Sequence, residues 1–352
     1  MTTTANASGP GLMQRLAEGP VICAEGYLFE LERRGFLQAG AFVPIVVLEN
    51  PDAVRQLHVE FARAGSDIVE AFTYYGHREK LRLIGMEEVL EPLNRQALQI
   101  AKDVADETGT LLAANICNTN IFETDDPDTH AKVRAIFDEQ LAWAAEFSPD
   151  LVIAETFSFT GEAMIAVEAC KALGVPMVVT MAVHAHPTSM DGVDLNETCR
   201  MLEGAGADVV GVNCIRGPDS MLPLLQGIRD AVACPVAALP VPYRTTDAMP
   251  TFQSLRDPGC YCIPDDRPFP VALDPFTCNR YELAEFAKAA YAVGVNYLGV
   301  CCGAGPHHIR AVAEALGRRP EASRFSPDMS KHAFFGTDAA VPDGYKKRAS
   351  LL

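Results

Sequence analysis

The chain has no apolar run approaching the roughly 18 residues of a membrane-spanning helix, and no cluster of lysines and arginines interrupts its length. The first absence removes a helical integral membrane protein from consideration. The second bears on partners: 29 Lys and Arg stand against 46 Asp and Glu, a formal charge of −17, so nucleic acid and anionic membrane surfaces are repelled. A small neutral or cationic substrate fits better. The opening MTTTANASGPGLMQRLAEGP holds a single Arg, no long apolar run and no small-residue cleavage site, so a cytoplasmic protein is expected. Cysteine is not scarce. Eleven are present, an odd number in a chain too long to need disulfide staples, which predicts free thiols, some of them bound to metal.

The 352 residues, 49% of them hydrophobic and 21% charged, suffice for one large core. Short β-rich apolar runs alternate with longer amphipathic segments. Eight such runs can be read: VICA (21–24), DIVEAFTY (67–74), LLAANIC (111–117), DLVIAET (150–156), PMVVTMAV (176–183), ADVVGVNC (207–214), CPVAALPV (234–241) and VNYLGVCC (295–302). Several are almost continuously apolar, as strands covered on both faces must be. Helical patterns lie between them, at 51–65, 89–109, 128–147 and 279–294, many ending in Gly. Eight strand–helix units in about 300 residues predict a (β/α)8 TIM barrel. A doubly wound open sheet is the rival, but no GxGxxG follows the first strand.

Residues 1–18 read as an N-terminal extension, 19–318 as the barrel and 319–352 as a polar surface tail. The stretch from about 243 to 279, rich in Pro, Asp and aromatics, predicts a long excursion that forms a lid or a wall of the site.

The thiols carry the strongest signal. GVNC ends the sixth strand at Cys214, and GVCCG ends the eighth at Cys301 and Cys302. Strand ends at the C-terminal face of a barrel converge on one opening, so the three sulfurs can meet. Three thiolates with one exchangeable position make a catalytic zinc site, whereas a structural site would close with a fourth protein ligand. Zinc with three thiolates bears one net negative charge, so a fourth sulfur bound there is deprotonated yet stays nucleophilic. A free thiol, of pKa about 8.5, would be mostly protonated. Gly303 lets the backbone turn sharply enough for adjacent cysteines to reach one ion. A vicinal disulfide between Cys301 and Cys302 is the competing reading. Cys23, Cys117, Cys170, Cys199, Cys234, Cys260, Cys262 and Cys278 read as small buried hydrophobes. His184, His307 and His308 are not taken as ligands, since three thiolates fill the protein's share. Asn115 and Asn213 read as hydrogen-bond donors around the site or as partners of the backbone.

GVNC and GVCCGAGPHHIRA, together with EGYLFELERRGF, AVRQLHVEFARAGSDIVEAFTYY and VIAETF, resemble the homocysteine S-methyltransferase family over roughly residues 19 to 318, nearest its betaine-using members. The resemblance implies zinc ligation by Cys214, Cys301 and Cys302. It implies that Glu155 binds the amino group of homocysteine and that the backbone at Gly26 approaches its carboxylate. The family's usual Asp-Gly-Gly is here Ala24-Glu25-Gly26, which makes Glu25 the candidate substitute for the displaced acid. Tyr75 matches an aromatic beside the methyl donor, Phe42 stands where betaine-using relatives have Trp, and Thr156 where they have a Tyr near the metal. Such aromatics hold a quaternary ammonium by their π faces, each contributing roughly 0.5–2 kcal/mol.

The implied reaction is zinc-dependent transfer of a methyl group from an onium donor, glycine betaine first, to the homocysteine thiolate, giving methionine. S-Methylmethionine, S-adenosylmethionine and dimethylsulfoniopropionate are rival donors. A zinc- and thiol-binding partner of a corrinoid methyl-transfer protein, or a non-enzymatic zinc protein, is the alternative of another class. Partners are therefore small molecules, with neither nucleic acid nor membrane expected and a homo-oligomer open. The chain ends soon after Ser350, short of the C-terminal arm that betaine-using relatives use in assembly, so a different association is expected.

Overall fold

The computed structural model describes residues 9–40, 43–259, 266–270, 272–331 and 342–349. Eight parallel strands close into a barrel in sequential order: β1 (Val21–Ala24), β2 (Ile68–Glu70), β3 (Leu111–Cys117), β4 (Leu151–Phe157), β5 (Met177–Met181), β6 (Val209–Asn213), β7 (Val236–Leu239) and β8 (Tyr297–Val300). Each apolar run named above supplies one strand. Pairing of Val21 with Tyr297 and Ala24 with Val300 closes the ring. A helix of the outer layer follows each strand: α1 (Pro51–Ala64), α2 (Leu90–Thr108), α3 (Pro127–Ala145), α4 (Thr160–Cys170), α5 (Leu195–Ala205), α6 (Pro218–Ala231), α7 (Arg280–Ala292) and α8 (Pro306–Ala315). No helix among the described residues is long and apolar enough to cross a membrane.

The strands are buried on both faces, and their period of two sorts the side chains into two cores. Ile22, Val69, Leu112, Val152, Val210 and Leu298 face outward and join the apolar sides of the helices. Val21, Cys23, Ile68, Leu111, Ile153 and Tyr297 fill the barrel interior. The helix Leu12–Glu18, within the predicted extension, adds Leu12 and Leu16 to that interior cluster and floors the barrel. At the same end Asp67 accepts from the Ile22 N–H at 2.7 Å and from Arg318 at 2.7 Å, tying β1 to the chain beyond α8.

The excursion after β7 lies against the opposite, C-terminal end. The Tyr243 and Phe252 rings stack at 6.0 Å, and Phe269 meets Phe252 edge-on at 5.0 Å. This aromatic wall stands over the loop that leaves β8.

Candidate active site

Cys214 is the first residue past β6. It and Ile215 both take positive φ, 57° and 59°, a region that costs a branched or bulky residue energy and persists only where its surroundings fix it. Here β7 does so. Its end lies between those of β6 and β8, where the Leu239 carbonyl accepts the Cys214 N–H and the Pro240 carbonyl accepts the Cys301 N–H, each at 2.9 Å. One neighbouring strand end therefore sets both thiol-bearing turns. Gly303 then turns the chain at φ 95°, and a Cβ there would stand 2.4 Å from the Tyr243 hydroxyl. Gly26 is as confined: its Cβ would come within 2.4 Å of the Ala304 carbonyl oxygen. The Gly26 turn and the cysteine loop thus approach to a distance only a missing side chain permits.

The sulfurs of Cys214, Cys301 and Cys302 all lie within 4.8 Å of one another. Cys301 and Cys302 are free thiols with Sγ atoms 3.8 Å apart, not a vicinal disulfide. Hydrogen bonds from its two neighbours hold the Cys214 thiol well below its ordinary pKa. Burial drives Cys301 up, and the Cys214 sulfur is the largest influence raising Cys302. Left to themselves the three share the first negative charge and resist the second. Full ionisation needs a compensating cation, and three soft anionic donors within one ion's reach suit a thiophilic metal.

Beside the thiols three carboxylates converge. Glu25, Glu70 and Glu155 line one narrow pocket together with Tyr27, Tyr74 and Cys302. Asn115 donates to Glu70 Oε1 at 2.6 Å and to Glu155 Oε1 at 2.9 Å. Asn213 donates to Glu155 Oε2 at 2.7 Å and to Glu25 Oε2 at 3.1 Å. Burial, followed by the charge of Glu155, drives the Glu25 and Glu70 carboxyls well above the usual range. Burial pushes Glu155 itself up to about 7, against the hydrogen bonds it accepts. Glu25 Oε1 is buried with no hydrogen-bond partner. The pocket thus crowds three acids that resist ionising together and leaves one acceptor unused, and a ligand ammonium would favour their charged forms and meet that acceptor.

Thr156 sits at a bulge of β4 with φ 62°. Its hydroxyl donates to Glu155 at 3.0 Å and its N–H to Asn213 Oδ1 at 3.0 Å, so it orients the acid. Tyr75 also has a positive φ, 61°, and its N–H meets the Cys117 sulfur at 3.3 Å. Its ring lies 4.3 Å from that of Tyr74, and the Cys302 charge reaches the phenols of both. Phe42, Cys260 and Cys262 lie outside the described residues.

The histidines set aside in the sequence are engaged elsewhere. His308 Nδ1 accepts from the Gly305 N–H at 3.1 Å and Nε2 meets the Cys278 carbonyl at 2.9 Å, while His184 meets Ser158 at 2.9 Å. Asn115 and Asn213 serve the carboxylates, and Asn213 also lies 3.9 Å from the Cys301 sulfur. Glu70 was missed, as were Tyr27 and Tyr74. The signal for Glu70 was an acid inside the apolar run DIVEAF, two positions beyond an interior residue.

The sequence model of the homocysteine S-methyltransferase family matches residues 25–316. The chain belongs to that family. An S-methylmethionine–homocysteine S-methyltransferase of Rattus norvegicus is 36% identical over 343 residues, covering 95% of this chain and 89% of the relative. Betaine–homocysteine S-methyltransferase 1 of Mus musculus is 35% identical over 337 residues, covering 93% and 79%. In fold, the metallated form of the Escherichia coli homocysteine methyltransferase MmuM matches with a TM-score of 0.66 at 18% identity, over 85% of this chain and 98% of that one. As a homocysteine S-methyltransferase by family, the chain is an enzyme whose thiols and acids meet in one barrel mouth.

Proposed function

We propose that the protein transfers a methyl group from glycine betaine to homocysteine, giving methionine and dimethylglycine, with zinc held by Cys214, Cys301 and Cys302. The observation that carries this reading is the meeting of those three sulfurs, within 4.8 Å of one another, beside a cavity lined by three buried carboxylates. When bound, zinc supplies the Lewis acidity that lowers a substrate thiol's pKa toward neutrality.

The chain's own residues do the rest. Glu155, fixed by Asn115, Asn213 and Thr156, receives the homocysteine ammonium. Glu25 offers its unpartnered Oε1 to that ammonium or to the departing thiol proton. The backbone at Gly26, which opens the helix Tyr27–Arg33, faces the substrate carboxylate. Tyr75 offers its ring to the donor onium, a role that the family resemblance also implies for Phe42. An S–CH3 bond then forms as the C–N bond breaks, the electron pair stays on nitrogen, and orientation in a dry pocket supplies much of the acceleration.

S-Methylmethionine is the second donor reading, favoured by relatives named for it that match this chain at 34–36% identity. The deciding assay is methionine formation from homocysteine by the zinc-loaded protein with glycine betaine, S-methylmethionine, S-adenosylmethionine and dimethylsulfoniopropionate in turn. Dimethylglycine formed mole for mole with methionine is expected. Inactivity with all four would overturn the reading. Cys302→Ala should lose zinc and turnover together, followed by metal analysis and the same assay; turnover by a zinc-free variant would contradict the ligand set.

A further inference from the structure

Of the three acids in the pocket beside the thiols, Glu155 and Glu25 have roles in the methyl-transfer reading and Glu70 has none. Glu70 ends β2, is buried, and accepts one hydrogen bond, from Asn115 to Oε1. The charges that act on it are those of Glu155 and Glu25. Among the described residues no lysine, arginine or histidine lines the pocket to answer them.

Two amides string the acids together. Asn115 joins Glu70 to Glu155, and Asn213 joins Glu155 to Glu25. An oxygen of Glu25 lies within 4.8 Å of one of Glu70, and an oxygen of Glu25 within 4.8 Å of one of Glu155. An ammonium bonded at about 2.8 Å to acceptors in tetrahedral directions holds neighbouring acceptors about 4.6 Å apart. The acids are therefore spaced as the acceptors of one alkylammonium are, and they cannot all ionise without a cation among them. A second observation points the same way. Glu25 Oε1 and the Tyr27 hydroxyl, both of residues that line this pocket, are buried with no hydrogen-bond partner.

We propose that Glu70 is a further substrate-binding residue, the third acceptor for the ammonium of the methyl-accepting thiol, and that it restricts acceptors to thiols bearing a primary amine. The inference rests on the methyl-transfer reading above and adds the class of thiol that the site admits. Glu155 and Glu25 take two of the N–H groups and Glu70 the third, while the sulfur reaches Cys301 and Cys302, which line the same pocket. A thiol of equal length without the amine leaves three crowded acids with no counter-ion. An N-methylated one withdraws a donor and sets a methyl group against a buried carboxylate. Glu70 makes and breaks no covalent bond; it positions the acceptor and selects it.

The test is calorimetric titration of the zinc-loaded protein with homocysteine, N-methylhomocysteine and 4-mercaptobutyrate, the last being homocysteine without its amine, with KM for methionine formation measured alongside. The unaltered protein should bind homocysteine at least about 10-fold more tightly than either analogue. Glu70→Gln should weaken homocysteine about 10-fold, the loss of one charge-assisted contact, and raise its KM to match. It should bind 4-mercaptobutyrate equally or more tightly and hold its zinc, and Glu70→Asp should show a smaller loss of homocysteine. Unchanged homocysteine binding by Glu70→Gln, equal weakening of homocysteine and 4-mercaptobutyrate, or no homocysteine binding by the unaltered protein would overturn the assignment. Should Glu70→Gln fail to fold, N-methylhomocysteine decides on the unaltered protein, where binding as tight as that of homocysteine overturns it. Amine-dependent binding that Glu70→Gln removes, with no methyl transfer from any donor, would overturn the methyl-transfer reading and leave the role of Glu70 standing.

Discussion

Asn213 lies between two carboxylates, a thiol and a strained threonine, and both ends of its amide are used. Nδ2 serves Glu155 at 2.7 Å, Glu25 at 3.1 Å and the Thr156 hydroxyl at 3.0 Å, while Oδ1 takes the Thr156 N–H at 3.0 Å. An amide suits this place because a carboxylate would add a further negative charge and lose the donor, and an apolar residue would leave buried groups unmatched. Asn213→Ala should therefore cost about 3 kcal/mol, the penalty for stranding more than one buried polar group. Urea unfolding at neutral pH measures it, and the KM for homocysteine should rise because Glu155 is no longer oriented. A stability loss below roughly 1 kcal/mol would mean that water replaces the amide freely. Glu25 shows the complementary condition. Its Oε1 is buried with no hydrogen-bond partner, a deficit the folded chain carries.

At the scale of elements, the thiol loop depends on three strand ends. β6 brings Cys214, β8 brings Cys301 and Cys302, and the carbonyls at the end of β7 hold both turns. Gly303 completes the loop at φ 95°, with the Tyr243 hydroxyl filling the space a side chain would need. Gly303→Ala should leave the barrel folded, since its strands and floor are untouched, yet lower zinc affinity at least 10-fold. Competition with a chromophoric chelator reads the affinity, and circular dichroism checks the fold. Unchanged affinity would show that the aromatic wall yields without disturbing the sulfurs.

Much of this arrangement was legible. Apolar runs located all eight strands, because a strand covered on both faces must be apolar throughout, and the thiols could be joined because a parallel barrel brings its strand ends together. Boundaries were less legible. The run 67–74 yields only Ile68–Glu70 as strand, since the chain then leaves the sheet toward the left-handed Tyr75, whose conformation is set by a contact with Cys117 from β3. The third acid escaped for a related reason. Glu25, Glu70, Asn115, Glu155, Asn213 and Cys301 each stand two residues beyond an interior position of their strand, so all point inward. That parity is written in the sequence. Which inward positions share one layer depends on the stagger between strands, which the sequence does not carry locally.

Across the whole molecule, chemistry and cohesion sit at opposite ends. Leu12, Leu16 and the Asp67 network close the floor, the thiols and acids occupy the mouth, and the layer of helices holds ionisable groups buried without partners. His58 of α1 is wholly buried, edge-on to Tyr27 at 4.8 Å, with neither ring nitrogen hydrogen-bonded, and burial lowers its pKa to about 3. Such a residue folds only as neutral imidazole. Below pH about 6.5 the unfolded chain binds a proton that the native chain refuses, so the contribution of His58 to stability is lost as pH falls toward 3. Glu25, Glu70 and Glu155 act with the opposite sign. Their raised values mean that the native state takes up protons first, and their contribution is lost as pH rises. The total pH profile mixes the two, but a single substitution separates them. His58→Leu leaves the acids in place, so its stability relative to the parent protein should rise by about 1.6 kcal/mol between pH 6.5 and pH 5, the slope growing toward 1.36 kcal/mol per pH unit as the unfolded imidazole becomes fully protonated. Paired urea denaturations of the two proteins across that interval give the difference directly. Parallel curves would mean that the imidazole ionises inside the fold and that the helical layer opens to water at this point.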